Sequence, residues 1–142
     1  DLFPNARLYL QQKEYDTAVN PPHPWLTGAY LPRIIERLTG DLKPRIELID
    51  GEAEILPGLR LFWTGGHTPG LQSVMLPTKF GEKTCLTSDL CLFYRNFEED
   101  IPIGVASSIV EVLEGMVRIR AEADHVIPNH DPLLEQQFPI KK

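Results

Sequence analysis

Short stretches of alternating apolar and polar residues recur along the chain and predict β-strands. This alternation is typical of strands that have one face against a hydrophobic core. The predicted strands are residues 6–10, 45–49, 59–63, 72–76, 83–87 and 125–128. Turn-forming residues lie between several of these stretches, at Asp50-Gly51, Pro57-Gly58 and Phe80-Gly81.

Three other stretches have the apolar spacing of a helix, namely residues 13–19, 31–39 and 107–122. The second has one apolar face made by Leu31, Ile34, Ile35 and Leu38, and the third has an apolar stripe made by Ile109, Val112, Leu113, Met116 and Ile119. Ser108 and Glu111 predict a capping box, in which each side chain bonds to the backbone N–H of the other. The element order predicts an α/β (α+β) fold, with a mixed sheet covered by helices.

Composition narrows the class of protein. A chain of 142 residues is consistent with one domain. Its content of 42% hydrophobic residues is enough to form a core, so we expect a folded rather than a disordered chain. The net charge of −6 argues against nucleic acid or an anionic membrane as a partner, because both require a basic surface. Cys85 and Cys91 lie too close to the same strand to join separate elements, so we expect reduced thiols and a cytoplasmic protein.

Three polar residues each follow the end of a predicted strand. His67 lies beyond residues 59–63, Asp89 beyond 83–87, and His130 beyond 125–128. If these strands run in the same sense in one sheet, the three side chains gather at one edge. Two imidazoles and a carboxylate suit zinc or another divalent metal, and one carboxylate can bridge two ions.

Simpler roles exist for each residue taken alone. A histidine or aspartate after a strand is often only a turn residue. His23, between two prolines, is expected at the surface, and His125, at the start of a strand, is expected to be a packing or surface residue. Asp131 is expected to be a turn residue or to support His130. The spacings alone therefore leave metal binding and turn formation as equal alternatives.

Four motifs, in order along nearly the whole chain, resemble the metallo-β-lactamase superfamily, and most of all its N-acyl-homoserine lactonase-like branch. They are Phe3-Pro4-Asn5-Ala6-Arg7 with Glu14-Tyr15, Gly66-His67-Thr68-Pro69-Gly70-Leu71-Gln72-Ser73, Ser88-Asp89 with Asn96-Phe97-Glu98 and Ile101-Pro102, and Ala123 to Pro132 with its Pro128-Asn129-His130 core. The resemblance implies the C-terminal half of a metallo-β-lactamase-like αββα sandwich, with residues 1–142 forming a single partial domain.

The resemblance also implies the chemistry. His67 would bind the first of two divalent metal ions, expected to be zinc, and His130 the second. Asp89 would bridge the ions and act in catalysis. In the family a hydroxide held between the ions attacks a lactone carbonyl, because the ions lower the pKa of bound water. The expected substrate is a small lactone or a related ester.

Two departures from the family pattern are visible. The His-x-His-x-Asp-His loop, expected before Phe3, is not in this chain. The chain alone therefore has an incomplete metal site and is expected to be inactive. The family often has a tyrosine three residues after the bridging aspartate; that position is Leu92 here, and Tyr94 lies two residues further on.

Two other hypotheses remain. The chain could serve a different hydrolase of the superfamily, acting on a thioester or a β-lactam. Alternatively it is a non-catalytic half that associates with itself or with another chain, including the missing half. A half-sandwich would expose one face of its sheet, and exposed apolar patches drive association.

Overall fold

Two sheets organise the part of the chain that the computed structural model describes, residues 2–78 and 80–137. The smaller sheet is a parallel pair, β1 (Leu8–Gln11) and β2 (Ile46–Ile49). The larger sheet has the order β3-β4-β5-β6-β7. Its strands are β3 (Glu52–Leu56), β4 (Leu59–Trp63), β5 (Gln72–Pro77), β6 (Lys83–Leu86) and β7 (His125–Ile127).

Every predicted strand has a counterpart in the structure, but β3 was not predicted. β3 lies at the edge of the larger sheet and pairs only with β4 there. None of its residues is fully buried, so its two half-buried positions, Ala53 and Ile55, give a weak apolar signal. Burial is low here because an edge strand has a neighbouring strand on one side only.

The strand directions create the sheet edge on which the candidate site depends. β4 and β6 are each antiparallel to β5, and β7 is parallel to β6. Hence β4, β6 and β7 all run in the same sense, and their C-terminal ends lie at the same edge. The condition that the sequence left open is confirmed.

Helices flank the sheets. They are α1 (Gln12–Val19), α2 (Pro32–Thr39), α3 (Tyr94–Glu98), α4 (Ile109–Glu122) and α5 (Leu133–Gln137). Short 3-10 turns occur at Pro24–Ala29, Lys43–Arg45 and Ser88–Leu90. The predicted apolar face of α2 contains no buried residue. Its spacing indicated the helix correctly but did not indicate what the helix packs against.

α4 covers one face of the larger sheet and closes the core. The core consists of Phe62, Met75, Cys85, Leu90, Cys91, Ile103, Val112, Met116 and Ile119. The predicted stripe of α4 is only partly right, because Ile109 and Leu113 are exposed. Gly115 completes the buried face instead, where the Leu90 side chain leaves no room for a Cβ without adjustment.

Both cysteines are buried and free, which confirms the prediction of reduced thiols. Burial raises the pKa of each thiol to about 12. Neither is therefore a nucleophile at neutral pH, because the thiolate is the reactive form. No helix among the described residues is long and apolar enough to cross a membrane.

Candidate metal centre

The loop that carries His67 connects β4 to β5 and is packed tightly against the start of α4. Gly66 has a φ of +90°, and a Cβ on it would lie 2.6 Å from Cγ2 of Val112. A larger residue would thus be excluded both by the left-handed backbone and by the helix. The Trp63 indole donates to the Pro69 carbonyl at 2.8 Å, and the Gly70 N–H donates to Glu14 at 2.9 Å.

The His67 ring is oriented by a backbone carbonyl. Its Nδ1 lies 2.7 Å from the Val105 oxygen. A carbonyl can only accept, so Nδ1 carries the proton and donates it. In the neutral ring Nε2 then has the free lone pair, and Nε2 lies 4.0 Å from Oδ2 of Asp89. This is the tautomer that a metal-binding imidazole requires at Nε2.

Asp89 lies in the 3-10 turn directly after β6. Buried Thr87 fixes the end of that strand, because its N–H bonds to the Ile127 carbonyl and its carbonyl accepts from Ser73. Oδ1 of Asp89 accepts a hydrogen bond from the Asn129 amide at 2.7 Å. The same oxygen lies 3.2 Å from Nε2 of His130. The two carboxylate oxygens thus face two different imidazoles.

His130 follows β7 and is held by the segment after Asp89. Its backbone N–H donates to the Leu92 carbonyl at 2.9 Å. Next to it, the Asp131 carboxylate accepts from the N–H groups of Tyr94 and Leu133, each at 2.9 Å. Asp131 therefore joins the starts of α3 and α5, which confirms a turn role.

The structure brings His67, Asp89 and His130 together, as the strand ends predicted. Their side chains remain open to solvent, with 29%, 32% and 59% exposed. However, within residues 2–78 and 80–137 no group of three His, Cys, Asp or Glu side chains could hold a metal ion. These residues form a partial ligand set, and their role as metal ligands stays a prediction.

Leu92 and Tyr94 have different environments. Leu92 is partly buried against the hydrophobic core. Tyr94 begins α3, where burial and the neighbouring Asp131 raise the pKa of its hydroxyl. His23 is exposed, and His125 pairs at the surface with Glu82 at 3.2 Å, as expected for residues outside the site.

Sequence reasoning missed Asn129 and the Val105 carbonyl. Asn129 contacts both Asp89 and His130, at 2.7 Å and 3.2 Å from its amide nitrogen. Adjacency to His130 was the only available signal for Asn129. No signal existed for Val105, since any residue type has a backbone carbonyl.

Several curated proteins that are similar to this chain in sequence are lactonases. An N-acyl homoserine lactonase from a Bacillus species is 31% identical over 100 residues, covering 70% of this chain and 36% of that protein. N-acyl homoserine lactonase AttM of Rhizobium radiobacter is 27% identical over 143 residues, covering 92% of this chain and 51% of AttM. The chain is homologous to part of the N-acyl homoserine lactonases.

Solved structures agree with this homology. The structure of an N-acyl homoserine lactone hydrolase with N-hexanoyl-L-homoserine bound at its catalytic metal centre superimposes with a TM-score of 0.76 and 26% identity. The superposition covers 96% of this chain and 53% of the lactonase. A probable metal-dependent hydrolase of Staphylococcus aureus matches in fold at a TM-score of 0.77. The chain has the metallo-β-lactamase fold.

The lactonase homology has a defined extent. The chain corresponds to the C-terminal portion of the Bacillus thuringiensis lactonase AiiA. It spans about a third to a half of the length of the curated lactonases it matches. No family model matches the chain.

Proposed function

We propose that this chain supplies part of a dinuclear metal centre that hydrolyses a lactone or a related ester. The observation that carries the proposal is the position of Asp89 between two imidazoles, with Oδ1 3.2 Å from His130 Nε2 and Oδ2 4.0 Å from His67 Nε2. A carboxylate that faces a different nitrogen ligand with each oxygen suits a bridge between two ions. The named activity and metal centre of the homologous lactonases support the same function.

His67, Asp89 and His130 suit two metal ions in chemical type, but they supply only part of the ligands that two ions need. If His67 serves one ion, His130 the other and Asp89 both, each ion has two protein ligands from this chain. A stable catalytic zinc site has three protein ligands. The remaining ligands must therefore come from outside the set that this chain supplies. A His-x-His-x-Asp-His segment, as in the family the chain resembles, would provide them.

When bound, the two ions would polarise the substrate carbonyl and activate water at neutral pH. The residues of this chain orient the ligands. Val105 keeps the proton of His67 on Nδ1, and Asn129 holds Oδ1 of Asp89 through a 2.7 Å hydrogen bond. Such supporting contacts commonly change metal affinity by about 10- to 100-fold when they are removed.

The proposal is tested in a protein in which a segment bearing the His-x-His-x-Asp-His loop precedes this chain; we call it the joined protein. After dialysis we expect elemental mass spectrometry to find about two metal ions per joined protein and fewer in the chain alone. We expect the joined protein to open an acyl-homoserine lactone or a simple lactone. If the joined protein hydrolysed a thioester or a β-lactam but no lactone, its function would be that of another branch of the superfamily. Failure on every lactone and ester would contradict the proposal.

Association with a partner is a separate proposal, supported by the second face of the larger sheet. Half-buried Val74, Leu86 and Ile127 line an open groove of about 430 Å³ on this face, next to Asn129. Exposed apolar surface of this kind favours association. We expect the chain alone to sediment as a dimer or larger species at micromolar concentration, through this face. A monomer at that concentration would contradict the expectation; Val74→Ser is the matched variant that should weaken association.

A further inference from the structure

Glu111 does not take the role that its spacing predicts. The first half of the capping box is confirmed, because Ser108 Oγ accepts from the Glu111 N–H at 3.2 Å. The second half is wrong. The Ser108 N–H donates to the Gly66 carbonyl at 3.0 Å, and the Glu111 carboxylate accepts from the Gly66 N–H, also at 3.0 Å. The side chain thus leaves its own helix end and reaches the His67 loop, 45 residues away in sequence.

Both sides of Gly66 are held, one by the first turn of α4 and the other by Ser107, two residues before the helix. Glu111 binds the N–H, while the Ser107 N–H and hydroxyl donate to the carbonyl at 2.7 Å and 2.9 Å. The Ser107 N–H also lies 3.1 Å from the His67 carbonyl. Gly66 immediately precedes His67, so these contacts place the backbone from which the imidazole extends.

The same segment orients the imidazole. Val105, which accepts from His67 Nδ1 at 2.7 Å, lies two residues before Ser107. Residues 105–111 therefore hold both the backbone and the ring of His67. If the contact from the Gly66 N–H to Glu111 is lost, Gly66 keeps the contacts of its carbonyl to Ser107 and Ser108. The N–H side of Gly66 is then no longer held, so the backbone before His67 can rotate and the contact from His67 to Val105 is less constrained.

Glu111 is itself held in place. Its second oxygen lies 3.5 Å from the Lys13 ammonium, and only 24% of its side chain is exposed. The same ammonium lies 4.7 Å from the centre of the Trp63 ring. A charge-assisted hydrogen bond donated to a partly buried carboxylate is stronger than a neutral one.

We propose that Glu111 is a positioning residue for His67, acting through the Gly66 N–H so that Nδ1 of His67 meets Val105 and Nε2 faces Asp89. The inference deepens the proposed metal centre and depends on it for its consequence in catalysis. Its test uses neither metal nor substrate, so its failure is distinguishable from failure of the proposed function.

Two substitutions separate positioning from a general effect of charge at the start of a helix. Glu111→Asp keeps the negative charge that favours a helix N-terminus but shortens the side chain by one methylene, so it no longer reaches Gly66. Glu111→Gln keeps the length and an acceptor oxygen but removes the charge. Glu114→Asp, exposed one turn along the same helix, is the matched control.

The measurements are long-range nitrogen–proton NMR of the His67 ring at pH 8.5 and hydrogen exchange of the Gly66 amide. We expect the starting chain, Glu111→Gln and Glu114→Asp to keep the Nδ1–H tautomer. In Glu111→Asp the ring signals should shift toward a mixture of tautomers, and Gly66 should exchange about 10- to 100-fold faster. The proposal would be overturned if Glu111→Gln changed the His67 tautomer and the Gly66 exchange rate while Glu111→Asp left both unchanged. It would also be overturned if Glu111→Asp gave the same tautomer and exchange rate as Glu114→Asp.

Discussion

Replacing Asp89 with asparagine is expected to lower kcat/KM of the joined protein for its lactone by about 1,000-fold or more. With asparagine in place of Asp89, the two ions lose both a bridging oxygen and a negative charge. A loss of several kcal/mol in transition-state stabilisation corresponds to a rate decrease of about 1,000-fold or more. Asparagine has one acceptor oxygen, so it cannot face both His130 and His67 as the two oxygens of Asp89 do. The metal content should fall together with the rate.

The matched control is Asp50→Asn. Asp50 is an exposed residue in the turn before β3 and lies outside the cluster of His67, Asp89 and His130. We expect its rate and metal content to equal those of the starting protein. The rate is followed by the proton release that accompanies lactone opening, and the metal by elemental mass spectrometry. An Asp89→Asn protein with full metal content and a rate within about threefold of the starting protein would show that Asp89 is not a bridging ligand.

Replacing Phe62 with alanine is expected to reduce the free energy of unfolding of the chain by about 3–5 kcal/mol. Phe62 is 0% exposed and lies in the core between the sheet and α4. The guanidinium groups of Arg118 and Arg60 lie 4.5 Å and 5.6 Å from its ring centre. Alanine would leave a cavity and remove both cation–π contacts.

Denaturant unfolding followed by circular dichroism measures this change. The control is Phe80→Ala, because Phe80 is 83% exposed in the turn after β5. That substitution should alter the free energy of unfolding by no more than about 0.5 kcal/mol. A loss of less than about 1 kcal/mol for Phe62→Ala would contradict the placement of this ring at the centre of the core.

Arg60 and Arg118 also connect the sheet to α4, in an ion-pair network above Phe62. Arg118 bonds to Glu52 at 2.5 Å and to Glu122 at 2.8 Å, and Arg60 contacts the same two carboxylates. Hydrogen bonds from the arginines hold the pKa of Glu52 and Glu122 below their usual range. A depressed carboxyl pKa contributes stability at neutral pH that is lost as the pH falls through the folded-state pKa. The Phe62 comparison therefore belongs at pH 7, where Glu52 and Glu122 are ionised and their protonation does not add to the measured difference.

Most of the elements and the members of the candidate site could be predicted from the sequence alone. Apolar periodicity predicts strands and helices because it records which positions are buried, and this worked for β4 and for α4. His67, Asp89 and His130 could be found because each follows a strand, and strand ends at one edge of a sheet lie close together. The sequence motifs also indicated a resemblance to the lactonases, and the lactonase homologues support it.

Features that depend on partners distant in sequence could be seen only in the folded structure. The directions of β4, β6 and β7 follow from how these strands pair in the sheet. The sequence therefore predicted that the three site residues lie together only on the condition that these strands run in the same sense. A carboxylate at the third position of a helix is compatible with a local cap. Glu111 instead binds Gly66, because packing brings the His67 loop within 3.0 Å. Propensity describes what a residue prefers in its own segment. The partner of a side chain is decided by which other segment folding places beside it.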